Sequence, residues 1–355
     1  MSDLSSDKGP SKPSIVFFAN ASSIHTKKWV DYFVNAGYTV ALVSFSKINI
    51  TNAAKVYSLG GRSMKIAGVN VFYLFSIFKL SKILKKERPD FFNAHFSYSL
   101  GFMAVVAKAI SGISAKVSVV CHGTDVLCPP LPILTQRINK FTLHRCDNIF
   151  AVSDQIHDKI IEMGVPQSKV HTGQYGVEVL SPVKLKDIDI ISNRSYVENS
   201  RIEFLLEKIS NTVKDASLKA VFVLSNIKDV DYNRLTGNWP DVTFYKDIRH
   251  NEMLQLVARS KVYVSATKSD GASLSLLEAM GAGCIPVVSN IAANRSWLVD
   301  GLNGYLFSGD HDFAHKLNSG LEAGPMMATH NVHLIKHHAL YSRQMSKIEK
   351  LLVND

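Results

Sequence analysis

Cysteine is scarce: Cys121, Cys128, Cys146 and Cys284 are the only four in 355 residues, with no CxxC pair and no Cys/His spacing suited to zinc. That excludes a disulfide scaffold or a zinc-ribbon fold, and the four are read as reduced packing residues. Long apolar runs are missing too, none approaching the roughly 18 residues of a membrane-crossing helix. The polar start MSDLSSDKGPSKPS lacks the charged-then-apolar order of a secretory signal, so the cytoplasm is the expected location. No repeat with a period of roughly 20 to 50 residues is visible, which excludes solenoids and propellers. Acidic residues are in deficit, 30 against 40 Lys and Arg.

What is present is ordinary globular material, 46% hydrophobic and 20% charged, able to bury a sizeable core. The length suits two domains. Residues 1–178 hold 20 Lys and Arg against 11 Asp and Glu, and residues 179–355 hold 20 against 19, so nearly all of the net +10 lies in the first half. Its densest part is Lys79, Lys82, Lys85, Lys86 and Arg88, interleaved with Phe75, Phe78, Ile83 and Leu84 in a segment read as helical. A solvated basic face, an interfacial helix on anionic lipid and a nucleic-acid surface all fit that pattern. No nucleic-acid-binding signature accompanies the charge, so no nucleic-acid partner is expected.

Short apolar runs alternate with helical patterns along the chain. After a tail over residues 1–12, SIVFFAN, TVALVSFS, NVFYLF, DFFNAHF, KVSVVCHG and NIFAVSD read as strands. A helix with Trp29, Tyr32 and Phe33 on one face ends at Gly37. The pattern restarts with DIDIISN, LKAVFVLSN, VTFYKD, KVYVSAT and IPVVSN, with helices such as RIEFLLEKISNTV and NEMLQLVARS between. The expectation is an α/β protein of two doubly wound, Rossmann-like parallel-sheet domains, 13–178 and 179–328, facing a central cleft. The boundary falls near 176–186, and residues 329–355 form a C-terminal helix packing back toward the first domain. In such domains ligands meet the loops that follow strands.

The most informative stretch is SDGASLSLLEAMGAGCIPVVSNIAANRSWLVDGLNGYLF, residues 269–307. Ser273 is placed to cap a helix from Leu274 to Ala282, stopped by Gly281 and Gly283. That helix N-terminus follows a strand, so its amides and dipole would stabilise a phosphate. Glu278 sits on an otherwise apolar helix, where a carboxylate needs a hydrogen-bonding partner. A ribose or sugar diol would serve, although spacing alone also allows an Asp before a helix and a Glu bonded to backbone. DVD at 229–231 reads as a loop, and no carboxylate cluster calls for a metal.

This stretch resembles the signature of the group 1 (family 4) glycosyltransferases, retaining enzymes of the GT-B fold. The family's E-x7-E motif stands here as Asp270-x7-Glu278, followed by LLEAMGAGCIPVVSN and DGLNGYLF. In order along the chain, ANASSIHTKKWVDYFVNAGYTVALVS, PDFFNAHF, VVCHGTD and CDNIFAVSD resemble the family's earlier segments. The resemblance implies that Glu278 binds the nucleotide ribose and that Asp270, one methylene shorter than Glu, holds hydroxyls of the transferred sugar. It places the amides of Gly271, Ala272, Ser273 and Leu274 at the phosphate or sugar, and His122 at the donor sugar near the reaction centre. Arg194 matches the diphosphate-clamp Arg. The clamp Lys is missing, its position falling near Asn199 or Ser200, and Arg201 is either its substitute or a solvated helix residue. Asn20, Ser22 and Ser23 replace the glycines that approach the diphosphate and would donate hydrogen bonds instead; His25 and His95 are read as structural.

The function so implied is a metal-independent, retaining transfer of sugar from a nucleotide-sugar, UDP preferred and GDP next, with no cofactor. The acceptor expected is a glycan or lipid-linked molecule in surface polysaccharide or lipopolysaccharide biosynthesis, with the protein peripheral on the inner face of the cytoplasmic membrane. The rivals are a GT-B sugar-nucleotide epimerase and a non-catalytic binder of phosphorylated glycan or nucleic acid.

Overall fold

The computed structural model describes residues 12–60, 71–127, 132–180, 183 and 185–353. The expected tail apart from Lys12, and Cys128, lie outside the described residues. The chain forms two compact units, one running to Tyr175 and resuming at Met345, the other comprising Gly176–Gln344.

The first unit carries β1 (Ser14–Phe18), β2 (Thr39–Ser44), β3 (Lys55–Ser58), β4 (Phe91–His95), β5 (Lys116–Cys121), β6 (Asn148–Ala151) and β7 (Val170–Thr172). They form one parallel sheet in the order β3-β2-β1-β4-β5-β6-β7. The central strands are apolar on both faces, as a sheet covered by helices on both sides requires. Helices α1 (Ile24–Asn35), α2 (Val71–Glu87), α3 (Phe102–Ser111), α4 (Pro132–Arg145) and α5 (Asp154–Glu162) supply that cover. In α1 the buried residues Thr26, Trp29, Val30 and Phe33 recur at helical spacing, and the Trp29 and Phe33 rings rest on Phe17.

Two expectations fail in these elements. NVFYLF is not a strand: from Val71 it is the first turns of α2, whose buried Ile77, Leu80 and Leu84 continue at helical spacing. The aromatic and β-branched start of that helix favours extended backbone locally, and the longer-range burial pattern overrides it. DVD at 229–231 is not a loop but the first turn of a helix, where Asp229 and Asp231 suit the positive end of the dipole.

The second unit repeats the plan with β8 (Ile188–Ser195), β9 (Ala220–Ser225), β10 (Val242–Lys246), β11 (Ser260–Ser265), β12 (Ile285–Ser289) and β13 (Tyr305–Phe307). All are parallel, in the order β10-β9-β8-β11-β12-β13. Its helices are α6 (Ile202–Asp215), α7 (Asp229–Asn238), α8 (His250–Ala258), α9 (Leu274–Gly281), α10 (Ala292–Arg295), α11 (Asp310–Glu322) and α12 (Pro325–His338). One sheet face packs Ile188, Ile191 and Tyr263 with Leu277 and Met280 of α9. The other packs Ile190, Phe222 and Val264 with Leu205 and Ile209 of α6 and Phe313 of α11.

The segment from 329 onward is two helices rather than one. α12 belongs to the second unit, and α13 (Tyr341–Val353) enters the first unit from Met345. There Ile348 and Leu352 are buried, and Glu349 accepts hydrogen bonds from the Tyr32 and Tyr38 hydroxyls at 2.7 Å each. Near the turn between α12 and α13, Val177 and Tyr341 exchange backbone hydrogen bonds with Ala339 and Val177 respectively. Gly176 beside them has φ +73°, and a Cβ there would stand 2.6 Å from the Ala339 carbonyl oxygen, so only glycine fits. Among the described residues no helix is long and apolar enough to cross a membrane.

Each sheet reverses its winding once, between β1 and β4 in the first unit and between β8 and β11 in the second. Open α/β sheets bind ligands outside the carboxyl ends of the strands at such a point.

Candidate functional site

In the second unit the loops at the switch point carry most of the expected residues. Arg194 stands near the end of β8, and Asp270 lies in the loop after β11. They form an ion pair, Arg194 Nη2 to Asp270 Oδ2 2.9 Å, with side chains 16% and 23% exposed. Asn199, where the clamp Lys would be, does other work. Its amide donates to the Ser269 carbonyl at 2.8 Å, and its Oδ1 accepts from the Ser269 amide at 3.1 Å, tying the loop after β8 to the loop that carries Asp270. Arg201 lies over the Phe204 ring, 3.9 Å from its centroid, with Asp310 at 3.9 Å.

Helix α9 starts directly behind Gly271 and Ala272. Ser273 precedes it, but its side chain makes no capping bond, contrary to expectation. Its backbone is left-handed, φ +45°, and its hydroxyl donates instead to Asn294 Oδ1 at 2.7 Å. Asn294 in turn donates to the Ser289 carbonyl at 2.8 Å. The buried side chain thus anchors the loop, and among the described residues the first amides of α9, at Leu274, Ser275 and Leu276, receive no cap from Ser273. They keep the donor capacity and partial positive charge that an anion uses. One turn on, Glu278 is 7% exposed, and its Oε1 lies 2.9 Å from His250 Nε2, at the start of α8. A histidine of the neighbouring helix is thus one partner of the buried Glu278.

In the first unit the loop after β1 turns upon itself. Asn20 Oδ1 accepts from the Ser22 amide at 3.1 Å and from the Ser22 hydroxyl at 2.9 Å. Ser23 caps α1 by accepting from the His25 amide. The Ser22 hydroxyl is thus spent as a donor within the loop, while Ser23 Oγ serves as an acceptor.

His122 follows β5, and it does not stand alone. Its Nε2 is 3.1 Å from Nδ1 of His95, the last residue of β4, and its ring centroid is 6.4 Å from that of His25. The His25 ring is hydrogen-bonded to the Tyr175 hydroxyl. Phe96, held at φ +70°, brings its ring within 4.6 Å of His122. Under this cluster Asp125 is fully buried. Its carboxylate accepts from the amides of Ser97, His122 and Gly123 at 2.8, 3.0 and 2.9 Å, which stitches the loops after β4 and β5 together. Burial pushes the Asp125 carboxyl up against these bonds. Burial also pushes the His122 imidazole down to about 4, and His95 well below its usual range. His95 and His122 are therefore neutral near pH 7.

His25, His95, Asp125, His250, Asn199 and Asn294 were not among the expected site residues. A lone His is weak evidence in a linear chain, yet His95 closes a strand beside the switch point, and that position was a usable signal. Nothing local marks His250, which meets Glu278 only through the packing of α8 on α9. Among the described residues no three His, Cys, Asp or Glu side chains come together as metal ligands.

Comparison with known proteins finds a family match within each of the two units. Residues 14–153 match the family model "Glycosyl transferase 4-like", and residues 188–322 match "Glycosyl transferases group 1". N-acetyl-alpha-D-glucosaminyl L-malate synthase of Bacillus anthracis is 20% identical over 249 residues, 64% of this chain and 64% of that protein. The GtfA subunit of the UDP-N-acetylglucosamine–peptide N-acetylglucosaminyltransferase of Streptococcus pneumoniae serotype 4 is 32% identical over 92 residues, 25% of this chain and 16% of that protein. The chain thus spans less than two thirds of either curated relative. Among solved structures, Anabaena HepE in complex with UDP superposes with a TM-score of 0.76 at 13% identity, covering 96% of this chain and 100% of that one.

Proposed function

Because the chain belongs to the group 1 glycosyltransferases of the GT-B fold, we propose that it moves a sugar from a UDP-sugar to a lipid-linked glycan acceptor, with retention at the anomeric carbon and without a metal. The observation that carries this is the second unit's switch point, where Arg194, Asp270, the uncapped start of α9 and the buried Glu278 stand together. Those parts match the chemistry of a nucleotide-sugar. Glu278 accepts from the ribose hydroxyls, Asp270 from hydroxyls of the sugar, and Arg194 with the α9 amides neutralises the diphosphate. In such a transfer the diphosphate leaves while positive charge builds on the anomeric carbon, and fixed donors at the leaving group lower that barrier. His122, of the first unit, is assigned a hydroxyl of the transferred sugar. The choice of UDP is supported by HepE, solved with UDP, with UDP and glucose and with UDP-glucose.

A lipid-linked acceptor is supported by the outer faces of three helices of the first unit. α2 exposes Phe75 and Phe78 beside Lys79, Lys82, Lys85 and Lys86, with Arg88 following it; α3 exposes Ile110, and α4 exposes Ile133, Leu134 and Phe141 beside Arg137 and Lys140. Exposed aromatics among bases suit an anionic membrane surface, each base near it contributing about 1 kcal/mol. In that reading the protein works peripherally on the inner face of the cytoplasmic membrane in surface polysaccharide assembly.

The deciding experiment is a panel of UDP-, GDP-, ADP- and dTDP-sugars, with and without EDTA, measuring thermal stabilisation and turnover for wild type and Glu278→Ala. Stabilisation and turnover with UDP-sugars that survive EDTA and vanish in the variant support the reading, and product anomer analysis checks retention. Stabilisation without turnover would make the protein a binder, and stabilisation by no nucleotide would overturn the site. Co-sedimentation with anionic vesicles at low and high salt tests the membrane; absence of binding at low salt would remove that part.

A further inference from the structure

Two imidazoles in the first unit share one hydrogen, and the two ways of sharing it are not equivalent. His122 Nε2 and His95 Nδ1 lie 3.1 Å apart, so one donates and the other accepts. His95 is 1% exposed, and among the described residues its second nitrogen, Nε2, has no hydrogen-bond partner. If His122 were the donor, neutral His95 would have to carry its own hydrogen on Nε2, an N–H buried with nothing to receive it. If His95 is the donor, Nε2 is left as a bare lone pair and the orphaned N–H does not arise. An unpaired buried N–H is the rarer and more costly defect. The adjoining Trp29, its ring centroid 5.4 Å from that of His95, offers another unpartnered N–H and no acceptor.

We propose that His95 is a positioning residue for His122: by donating from Nδ1 it fixes His122 as the Nδ1–H tautomer, so that the ring offers a hydrogen-bond donor to an oxygen of the bound sugar. The last clause rests on the reading of His122 as a sugar contact. The hydrogen bond made by one imidazole nitrogen decides which form the other takes. The Phe96 ring at 4.6 Å and the hydrogen bond from the His122 amide to Asp125 hold the imidazole in place. A neutral donor suits glycosyl transfer, since it polarises a sugar oxygen without adding a second cation beside an anomeric carbon that is becoming positive.

The tautomer is read directly from ring nitrogen signals in NMR of the full chain labelled with 15N-histidine at pH 7.5, His122 being identified by the signals lost in His122→Ala. An unconstrained neutral histidine prefers the hydrogen on Nε2, so the form assigned to His122 is diagnostic. The expected spectrum shows His122 protonated on Nδ1. It should persist in His95→Asn, whose side-chain amide can donate from nearly the same place, and revert to Nε2–H in His95→Leu. Donor-sugar kcat/KM should fall by about tenfold in His95→Leu, one hydrogen bond's worth, with UDP affinity unchanged and partial recovery in His95→Asn. His122 found as Nε2–H in wild type overturns the proposal even if His95→Leu does not fold. Absence of turnover with every nucleotide-sugar, alongside an Nδ1–H signal, would instead sink the functional reading and leave the tautomer assignment standing.

Discussion

Arg194 and Asp270, the residues assigned to the diphosphate and to the sugar, hold each other at 2.9 Å. Donor binding must therefore recruit an arginine that is already paired. Removing the carboxylate frees the guanidinium for phosphate while depriving the sugar of its acceptor. Asp270→Ala should keep UDP affinity equal to or tighter than wild type, and turnover should drop by about 10² or more. Calorimetry of UDP binding beside a turnover assay checks the split; loss of UDP affinity in the variant would mean that the pair acts as a unit.

Glu278 and His250 make a second pairing with a different consequence. Glu278→Gln still offers an oxygen to His250 Nε2, whereas Glu278→Ala leaves that ring without its partner. The Ala variant should be less stable by about 1–3 kcal/mol, with Gln in between. Loss of one charge-assisted hydrogen bond to a ribose hydroxyl should weaken UDP binding by about ten- to a hundredfold in Ala. Equal UDP affinity in all three proteins would place the ribose elsewhere.

The histidine cluster gives stability a pH dependence of known sign. His122 takes up a proton near 6.5 when unfolded but only near 4 in the native state, because burial disfavours its cation. Between those values the unfolded chain binds more protons. The stabilisation is complete above about 6.5 and is lost as pH falls toward 4. Denaturant unfolding should show a loss of about 1–2 kcal/mol from pH 7 to pH 5. His122→Asn should flatten that slope, and an unchanged slope would assign it to other groups.

Ser273 combines an unfavourable backbone with a favourable hydrogen bond, and two substitutions separate them. Ser273→Gly relieves the left-handed strain and gives up the bond to Asn294; Ser273→Ala keeps the strain and gives up the bond as well. Melting curves should place the Ala variant below the Gly variant by about 1 kcal/mol. The reverse order would show that Cβ packing outweighs backbone strain at this position.

Much of this architecture can be read from the chain. Buried strands such as IVFF and VVC declare themselves because both faces are covered, and the Asp270 to Glu278 stretch carries its own resemblance. The failures are local. KVYS at 55–58 is a short, exposed edge strand with no apolar run to mark it, and YLF at 305–307 is only three residues long. NVFYLF misleads because its six residues suit a strand, and only the burial of Ile77, Leu80 and Leu84 beyond them shows the helical period. Ser273 stands where a cap is expected, yet Asn294, 21 residues away, takes its hydroxyl. The three histidines are 27 and 70 residues apart along the chain and meet only because β1, β4 and β5 are neighbours in the sheet, a relation that strand order creates and no window of sequence contains.

The sequence discontinuity of the first unit bears on how the protein is made. A ribosome emits Ser14–Thr172, with every strand of the first sheet, long before it emits Met345–Val353. Until then Tyr32 and Tyr38 lack Glu349, and the sites that Ile348 and Leu352 fill stand open. Domains generally fold in order of synthesis, but here the unit made first is completed last. A nascent chain stalled before residue 345 therefore holds an unfinished N-terminal unit beside a second unit that already has all its parts, and a fragment ending at Tyr175 inherits the same defect permanently.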